Sequence, residues 1–298
     1  MSDLEQLRSF EIPSLIAFDA GQGGLTRAVV TTAWSRAEIY LHGAQVTAFQ
    51  KTGDAPLLFL SRASRFAPGK AIRGGVPICF PWFGPRAGDV AHGFARITEW
   101  QVASVAADPP GGVTLGLRLP ETAGRAGQPA FSAAFAVTIT DRLTLELTVQ
   151  NPGAAVSECE SCLHTYFKVG DVEQIALVGL RQALYLDKTN HDAERLDTDE
   201  RLRIHQQTDR TYLNTVGPVE IHDPVLKRVI RIEKTGSAST VVWNPWTTQP
   251  LADLLPDEHR QMVCVESGNV ERNRLALSPG GISVMKVVLS TKSSPVVL

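Results

Sequence analysis

The stretch IRGGVPICFPWFGPRAGDVAHGFAR combines anion-binding side chains with residues that fix turns. It holds a single acid and four basic residues: Arg73, Arg86, His92 and Arg96. A guanidinium presents a planar fork of donors that matches a phosphate or carboxylate, and glycine allows a backbone to approach a ligand closely. The stretch therefore predicts a site for an anionic small molecule. The alternative is a structured connection whose arginines are solvated.

His164 follows a strand-like run in ECESCLHTYFKVGD. In an extended chain, Glu160, Cys162, His164 and Tyr166 share one face, and Cys159 points to the other. Zinc is disfavoured, because the C-x-x-C would need a tight turn and no second C-x-x-C or H-x-x-x-H completes a tetrahedral set. A lone histidine beside aromatic residues is commonly a hydrogen-bonded core residue and less often a catalyst, so both interpretations stay open.

Glu266 ends an apolar run in VCVESGN. Alternation places Cys264 and Glu266 on one face of a strand and Val263 and Val265 on the other. A carboxylate at the end of a buried strand is costly unless it is paired or hydrogen bonded, and such groups often have a raised pKa and act as bases. A structural ion pair is the alternative.

Two shorter segments also carry polar or aromatic groups. TDRTY contains Asp209 and is compatible with a turn. VWNPW contains Trp243 and Trp246, whose rings either stack on a sugar or pack in the interior.

The composition of the chain limits the kinds of partner and the cellular compartment that we expect. The chain of 298 residues has 29 basic and 31 acidic residues, so it carries no overall charge that would attract nucleic acid or an anionic membrane. Neither a signal peptide nor an apolar run long enough to span a bilayer is present, and four cysteines are too few for a disulfide scaffold. We expect a cytoplasmic monomer without nucleic-acid or membrane partners.

The elements that position these groups are predicted to be strands. Residues 143–149 alternate strictly between apolar and polar side chains, as a half-buried strand does. Less strict alternation occurs in five further segments: residues 113–119, 131–139, 229–233, 240–243 and 283–289. Helical periodicity is nearly absent, apart from a short N-terminal turn before Pro13 and a segment at 250–262 that Pro256 interrupts. We predict one all-β domain over residues 1–298, a large antiparallel β-sandwich.

Taken together, the motifs resemble the aldose 1-epimerase superfamily, and within it the hexose-6-phosphate mutarotases. The resemblance runs from about Ala37 to about Asn273, and its strongest parts are IRGGVPICFPWFG, HGFAR, LHTYFKVGD, TDRTYLN, VVWNPW and MVCVESGN, in the family's order. It implies an antiparallel sandwich of the galactose mutarotase type that works without metal or organic cofactor.

The resemblance also implies roles for individual residues. His164 corresponds to the general acid and Glu266 to the general base. Arg73 and Arg96 lie where phosphate-specific members bind the substrate's phosphate, and the positions that hold sugar hydroxyls are His92 and Asp209. Two departures stand out: Ala91 replaces the glutamine that many members have before the HGFAR histidine, and residues 257–260 lack the usual tyrosine.

The implied activity is interconversion of the α and β anomers of a hexose 6-phosphate, with glucose 6-phosphate expected. A histidine and a carboxylate have ordinary pKa values on either side of about 5.5 and suit paired acid and base roles near neutral pH. The alternatives are an epimerase for unphosphorylated sugars, which the paired arginines disfavour, and a non-catalytic sugar-phosphate-binding module, which does not require the acid–base pair.

Overall fold

Antiparallel strands account for most of the structure, a computed structural model that describes residues 4–121 and 130–293. The strands within these ranges are β1 (Ile16–Ala20), β2 (Thr26–Thr31), β3 (Ser35–Tyr40), β4 (Gln45–Lys51), β5 (Ile78–Cys79), β6 (Gln101–Asp108), β7 (Gly112–Arg118), β8 (Ser132–Ile139), β9 (Leu143–Gln150), β10 (Ser157–Cys159), β11 (Ser161–Leu163), β12 (Tyr166–Lys168), β13 (Ala176–Val178), β14 (Leu184–Asp187), β15 (Ala193–Leu196), β16 (Thr208–Tyr212), β17 (Val219–Asp223), β18 (Arg228–Thr235), β19 (Ser239–Asn244), β20 (Met262–Asn269), β21 (Leu275–Leu277) and β22 (Ile282–Ser293).

Two eight-stranded sheets dominate the part of the chain that the structure describes. One has the order β15-β14-β16-β19-β20-β11-β5, with β12 also pairing with β20, and we call it the site sheet. The other has the order β13-β17-β18-β22-β9-β8-β7-β6. A four-stranded sheet of β1 to β4 and the pair β10-β21 complete the set, and the ladders are antiparallel. The prediction of an all-β antiparallel fold is confirmed.

The segments predicted as strands from alternating apolar and polar residues are strands in the structure. The predicted strand at 143–149 is β9, whose side chains alternate between buried and half-buried along its whole length. The five weaker predictions correspond to β7, β8, β18, β19 and β22. The segment TDRTY is not a turn but strand β16, which lies between β14 and β19. Polar side chains recur there because one face of the site sheet borders a pocket instead of the core.

Helices are short, as the sequence predicts. The N-terminal turn is an α-helix, α1 (Leu4–Leu7), continued by a 3-10 turn at Arg8–Phe10. In the segment at 250–262, only Glu258–Gln261 forms a 3-10 turn, because Pro256 prevents a longer helix from starting earlier. No helix among the described residues is long and apolar enough to cross a membrane.

Strand β20 is buried on both faces. Val263 and Val265 join the main core, which also contains Val113 and Leu145 from the second large sheet. Cys264 lies on the opposite face, where it packs with Tyr166 in a separate small cluster. One cluster with side chains from both large sheets supports our proposal that the chain forms a single domain.

Candidate active site

The six residues predicted to form the site all line one open pocket of ≈ 650 Å³. They come from positions far apart in sequence: Arg73, His92, Arg96, His164, Asp209 and Glu266. Other side chains, which had no role assigned from the sequence, also line the pocket: Phe83, Lys188, His191, Asp192, Trp243, Gln249, Leu251 and Glu271. A pocket of this volume, with charged groups converging on it, has the dimensions of a small-molecule site.

The register of β20 brings His164 and Glu266 together. Leu163 of β11 pairs with Ser267, and Tyr166 of β12 pairs with Cys264. Between these two pairs, the same register places His164 opposite Glu266. Cross-strand partners in an antiparallel sheet point to the same face, so the two side chains meet although 102 residues separate them.

His164 and Glu266 form a buried pair. His164 Nδ1 lies 3.3 Å from Glu266 Oε1, and the two side chains are 8% and 1% exposed. The contact lies outside hydrogen-bond geometry, so Nδ1 has no hydrogen-bond partner among the described residues. Glu266 Oε2 accepts a hydrogen bond from Cys162 Sγ at 3.4 Å. Nδ1 is itself buried, so its neighbour is the Glu266 carboxyl group and not solvent.

Burial shifts both pKa values toward the neutral forms. Desolvation lowers the pKa of His164 well below its ordinary value, and electrostatic interactions with His92, Arg96 and Arg73 lower it further. Desolvation also raises the pKa of Glu266 well above its ordinary value, with the Cys162 hydrogen bond and Arg96 opposing. The pair therefore holds one titratable proton at neutral pH, and these shifts place it on Glu266 as a carboxylic acid beside a neutral imidazole. It can donate a proton at one atom while it accepts one at another.

Tyr166 connects the histidine to an arginine. Its ring stacks on the His164 imidazole with centroids 4.8 Å apart and an angle of 8° between the planes. Its hydroxyl accepts a hydrogen bond of 2.8 Å from Arg73 Nη1. Arg73 Nε donates to Asp253 Oδ1 at 3.1 Å, and the arginine side chain is 21% exposed. These contacts fix the guanidinium at the pocket wall.

His92 and Arg96 lie on a loop that folds back onto Phe80. His92 N–H donates to Gly84 O at 2.8 Å, and Gly84 N–H donates to His92 Nδ1 at 3.3 Å. Gly93 has φ 74°, and a Cβ there would lie 2.0 Å from Phe80 O, so only glycine allows this approach. The fold-back brings Arg96 and Arg73 to the same pocket, as the predicted phosphate site requires.

The protonation state of His92 follows from these contacts. Burial, with the charges of Arg96 and Arg73, lowers the pKa of His92 to about 3. Because Nδ1 accepts a backbone hydrogen bond, the neutral ring carries its proton on Nε2. His92 is therefore a neutral hydrogen-bond donor, which suits a sugar hydroxyl better than an anion.

Arg96 is held by its own loop. Its Nη2 donates to Ala91 O at 2.8 Å, and its buried Nε has no hydrogen-bond partner among the described residues. Alanine at position 91, where many family members have glutamine, still accepts the Arg96 hydrogen bond through its backbone carbonyl. It gives the pocket lining a methyl group in place of a polar side chain.

Asp209 lies on β16 opposite Trp243 of β19. Burial raises the pKa of Asp209 from its ordinary value of 3.8 to about 6, and the nearby charge of Lys188 opposes the rise. Lys188 itself bridges two acids of the pocket wall, Asp192 at 2.8 Å and Glu271 at 2.5 Å. Three carboxylates therefore lie around Lys188 in the pocket lining, and Asp209 is an acceptor for a sugar hydroxyl.

We expect Asp209→Asn to stabilise the fold while it weakens turnover. Because the folded-state pKa is above the unfolded one, the native state binds more protons between pH 3.8 and about 6, so the free energy of unfolding falls as pH rises through that range. Asparagine removes this loss, worth roughly 2–3 kcal/mol at pH 7. Denaturant unfolding at pH 4 and pH 7 measures it. Asp141→Asn, at an exposed position, is the control; an equal effect of Asp209→Asn at both pH values would contradict the prediction.

Glu160 anchors two walls of the pocket, although it does not line it. Its carboxylate accepts Phe83 N–H at 2.9 Å and Glu271 N–H at 2.7 Å. Phe83 precedes the Gly84 amide that binds His92, and Glu271 pairs with Lys188. Sequence alternation placed Glu160 on the His164 face but gave no indication of these loop contacts.

Glu160→Gln is expected to loosen both walls, because one amide N–H must face a backbone N–H donor. Loss of a hydrogen bond to a charged acceptor in a buried setting costs roughly 1–3 kcal/mol. The free energy of unfolding should fall by about this amount, and KM should rise more than kcat falls. Glu158→Gln, at an exposed neighbouring position, serves as the matched control. Unchanged stability and KM would show that the two amides do not depend on the carboxylate.

The cysteines divide between different environments. Cys159 belongs to the main core, whereas Cys162 packs with Cys79 in a smaller cluster beside the site. Within residues 4–121 and 130–293, the candidate metal-binding group is a different set, His164, Cys264 and Glu266, whose donor atoms lie within 4.8 Å of one another. These donors are accounted for by the buried acid–base pair and a packed thiol, and two arginines face them.

Comparisons with known proteins agree with this geometry. The aldose 1-epimerase family matches residues 29–290. A protein of Escherichia coli K12 described as "Putative glucose-6-phosphate 1-epimerase" is 35% identical over 238 residues, which is 78% of this chain and 79% of that protein. A protein of Cenchrus ciliaris with the same description is 33% identical over 259 residues, covering 82% and 78%.

A solved structure extends the similarity to the whole fold. The crystal structure of a Salmonella typhimurium protein described as a "putative mutarotase" superposes with a TM-score of 0.87 at 27% identity, covering 97% of this chain and 99% of that one. The resemblance inferred from the six motifs is thereby confirmed. With its family match over residues 29–290 and its galactose mutarotase-like fold, the chain belongs to the aldose 1-epimerase family.

Proposed function

We propose that the protein is a hexose-6-phosphate 1-epimerase that interconverts the α and β anomers of glucose 6-phosphate. The observation that carries the proposal is the juxtaposition, in one pocket, of a buried histidine–carboxylate pair with two arginines. The curated relatives carry a description with the same substrate. We further propose that the enzyme acts as a cytoplasmic monomer, and its four buried, free cysteines are compatible with a reducing compartment.

The acid–base pair provides what ring opening requires. In the carboxylate–imidazolium form of the pair, Glu266 takes the proton from the C1 hydroxyl, and the electron pair of that O–H bond forms the C1 carbonyl. The C1–O5 bond breaks, and its electrons accept a proton from His164. Rotation about C1–C2 presents the other carbonyl face, and the two groups then work in reverse. Their 3.3 Å separation places both within reach of neighbouring oxygens on one sugar.

Remaining contacts position the substrate. Arg73 and Arg96 bind the phosphate, which charge-assisted hydrogen bonds favour strongly. His92 and Asp209 bind hydroxyl groups, one as a neutral donor and the other as an acceptor. The Trp243 ring lies at the edge of the Tyr166 and His164 rings and offers an apolar face to the sugar.

A mutarotation assay tests the proposal. The anomeric interconversion of glucose 6-phosphate and of glucose is followed with and without enzyme, since both reactions also proceed in water. We expect kcat/KM to be larger for the phosphorylated sugar by at least about 10-fold, the value of one charge-assisted hydrogen bond. Equal acceleration of both sugars would support an epimerase for unphosphorylated aldoses. Acceleration of neither would support a sugar-phosphate-binding module.

A further inference from the structure

A continuous chain of contacts links the arginine side of the pocket to the acid–base pair. Asp253 binds Arg73 Nε, Arg73 Nη1 binds the Tyr166 hydroxyl, and the Tyr166 ring stacks face to face on His164. Tyr166 is 1% exposed, so its ring has no room to tilt independently of its two partners. A change in the position or charge of Arg73 therefore reaches the imidazole through one rigid side chain.

The positive charges that line the pocket oppose an imidazolium at His164. Both Arg73 and Arg96 act on the ring electrostatically, and little water separates these groups because His164 is 6% exposed. His92, whose ring centroid lies 5.5 Å from that of His164, is neutral and does not offset the two positive charges. The carboxyl group of Glu266 lies beside the ring, with Oε1 3.3 Å from His164 Nδ1.

A phosphate dianion at Arg73 and Arg96 reverses this balance. Its two negative charges add to that of Asp253, which already pairs with Arg73, and together they outweigh the two arginine charges, so the proton of the pair moves from Glu266 toward His164. The stacked Tyr166 ring favours the resulting imidazolium through a cation–π contact. His164 then holds the proton that O5 needs, and Glu266 is the carboxylate that accepts the proton from O1.

We propose that the substrate's phosphate is an activator as well as an anchor, and that Tyr166 is the positioning residue that couples the arginine-bound phosphate to the His164–Glu266 pair. This inference rests on the proposed function. It predicts that a separate phosphate ion speeds ring opening of a hexose to which it is not attached.

The experiment supplies the substrate in two pieces, glucose and inorganic phosphate. Enzyme-dependent kcat/KM for glucose mutarotation is measured at increasing inorganic phosphate, and the rate without enzyme at each concentration is subtracted because phosphate is itself an acid–base catalyst. Competition of inorganic phosphate with glucose 6-phosphate shows when the arginine site is filled. We expect activation of glucose turnover by about 5- to 150-fold, the usual range for coupling between two sites.

Variants separate coupling from general damage, because each is judged by its own ratio of rates with and without phosphate. Tyr166→Phe keeps the stacked ring but removes the hydroxyl that holds Arg73 beside the pair, so we expect this ratio to fall below the wild-type value. Arg86→Ala should keep the wild-type ratio, since Arg86 is half exposed, lies over Trp82 and does not line the pocket. Retained activation in Tyr166→Phe would overturn the assignment of Tyr166.

The wild-type protein alone tests the central claim. If inorganic phosphate competes with glucose 6-phosphate but leaves glucose turnover unchanged, the phosphate is an anchor only and the inference fails, while the proposed function stands. If glucose 6-phosphate itself is not turned over, the proposed function fails first. If glucose 6-phosphate is turned over but inorganic phosphate neither competes nor activates, both the coupling and the assigned phosphate site are wrong.

Discussion

His164→Ala and Glu266→Ala should each lower kcat for glucose 6-phosphate by about 100- to 10 000-fold. Each substitution removes one of the two proton-transfer groups, and a positioned acid or base commonly contributes a factor of this size. KM should change much less, because neither group is assigned to the phosphate. Single-turnover mutarotation with both variants measures the loss in the chemical step.

The pair is expected to act as a unit. Its side chains are 3.3 Å apart and share one proton, so the double variant should be little slower than either single variant. Glu266→Gln provides the conservative comparison: it retains volume and polarity near Cys162 but not the basic oxygen. Near-normal turnover in any of these variants would remove the corresponding role, and multiplied losses in the double variant would indicate independent functions.

Stability must be measured beside activity in this series. Glu266→Ala leaves a cavity and an unpartnered Cys162 thiol in a fully buried region, which costs roughly 2–4 kcal/mol. His164→Ala additionally removes the surface on which Tyr166 stacks. A variant that unfolds at the same denaturant concentration as the wild type but does not turn over substrate separates chemistry from folding.

Sequence patterns located the faces of the site, whereas the structure was needed to bring them together. Period-two alternation placed Cys264 and Glu266 on one face of a strand, and β20 has that orientation. Alternation cannot give the register between strands 100 residues apart, because register depends on the turns and core contacts of the whole sheet. The facing of His164 and Glu266 therefore follows from the register of β20 and cannot be obtained from spacing in the sequence.

Other features carried no sequence signal. Strands of three or four residues, such as β13 and β14, are too short to display alternation and were not predicted. Lys188 reaches the pocket from a 3-10 turn, and Glu271 reaches it from a position with φ 56°. Neither segment has a sequence motif that would mark it as part of a site. The hydrogen bond between Arg73 and Tyr166 joins the motifs IRGGVPICFPWFG and LHTYFKVGD, and nothing in the sequence indicates that contact.

Loss of either pocket arginine should reduce kcat/KM for glucose 6-phosphate by about 10- to 100-fold, because a charge-assisted hydrogen bond is worth roughly 1.5–3 kcal/mol. The substitutions are Arg73→Ala and Arg96→Ala. Turnover of glucose should fall much less, since it has no phosphate to hold. Most of the loss for Arg96→Ala should appear in KM, because Arg96 Nη2 is hydrogen bonded to its own loop and not to a catalytic side chain.

Arg73→Ala should differ from Arg96→Ala in one respect that follows from its contacts. Removing Arg73 leaves the Tyr166 hydroxyl and the Asp253 carboxylate without their partner, so kcat should fall together with the rise in KM. Arg86→Ala is the matched control, because Arg86 lies in the same stretch but is half exposed and outside the pocket lining. Equal losses on both sugars, or a larger loss from Arg86→Ala than from the pocket arginines, would place the phosphate elsewhere.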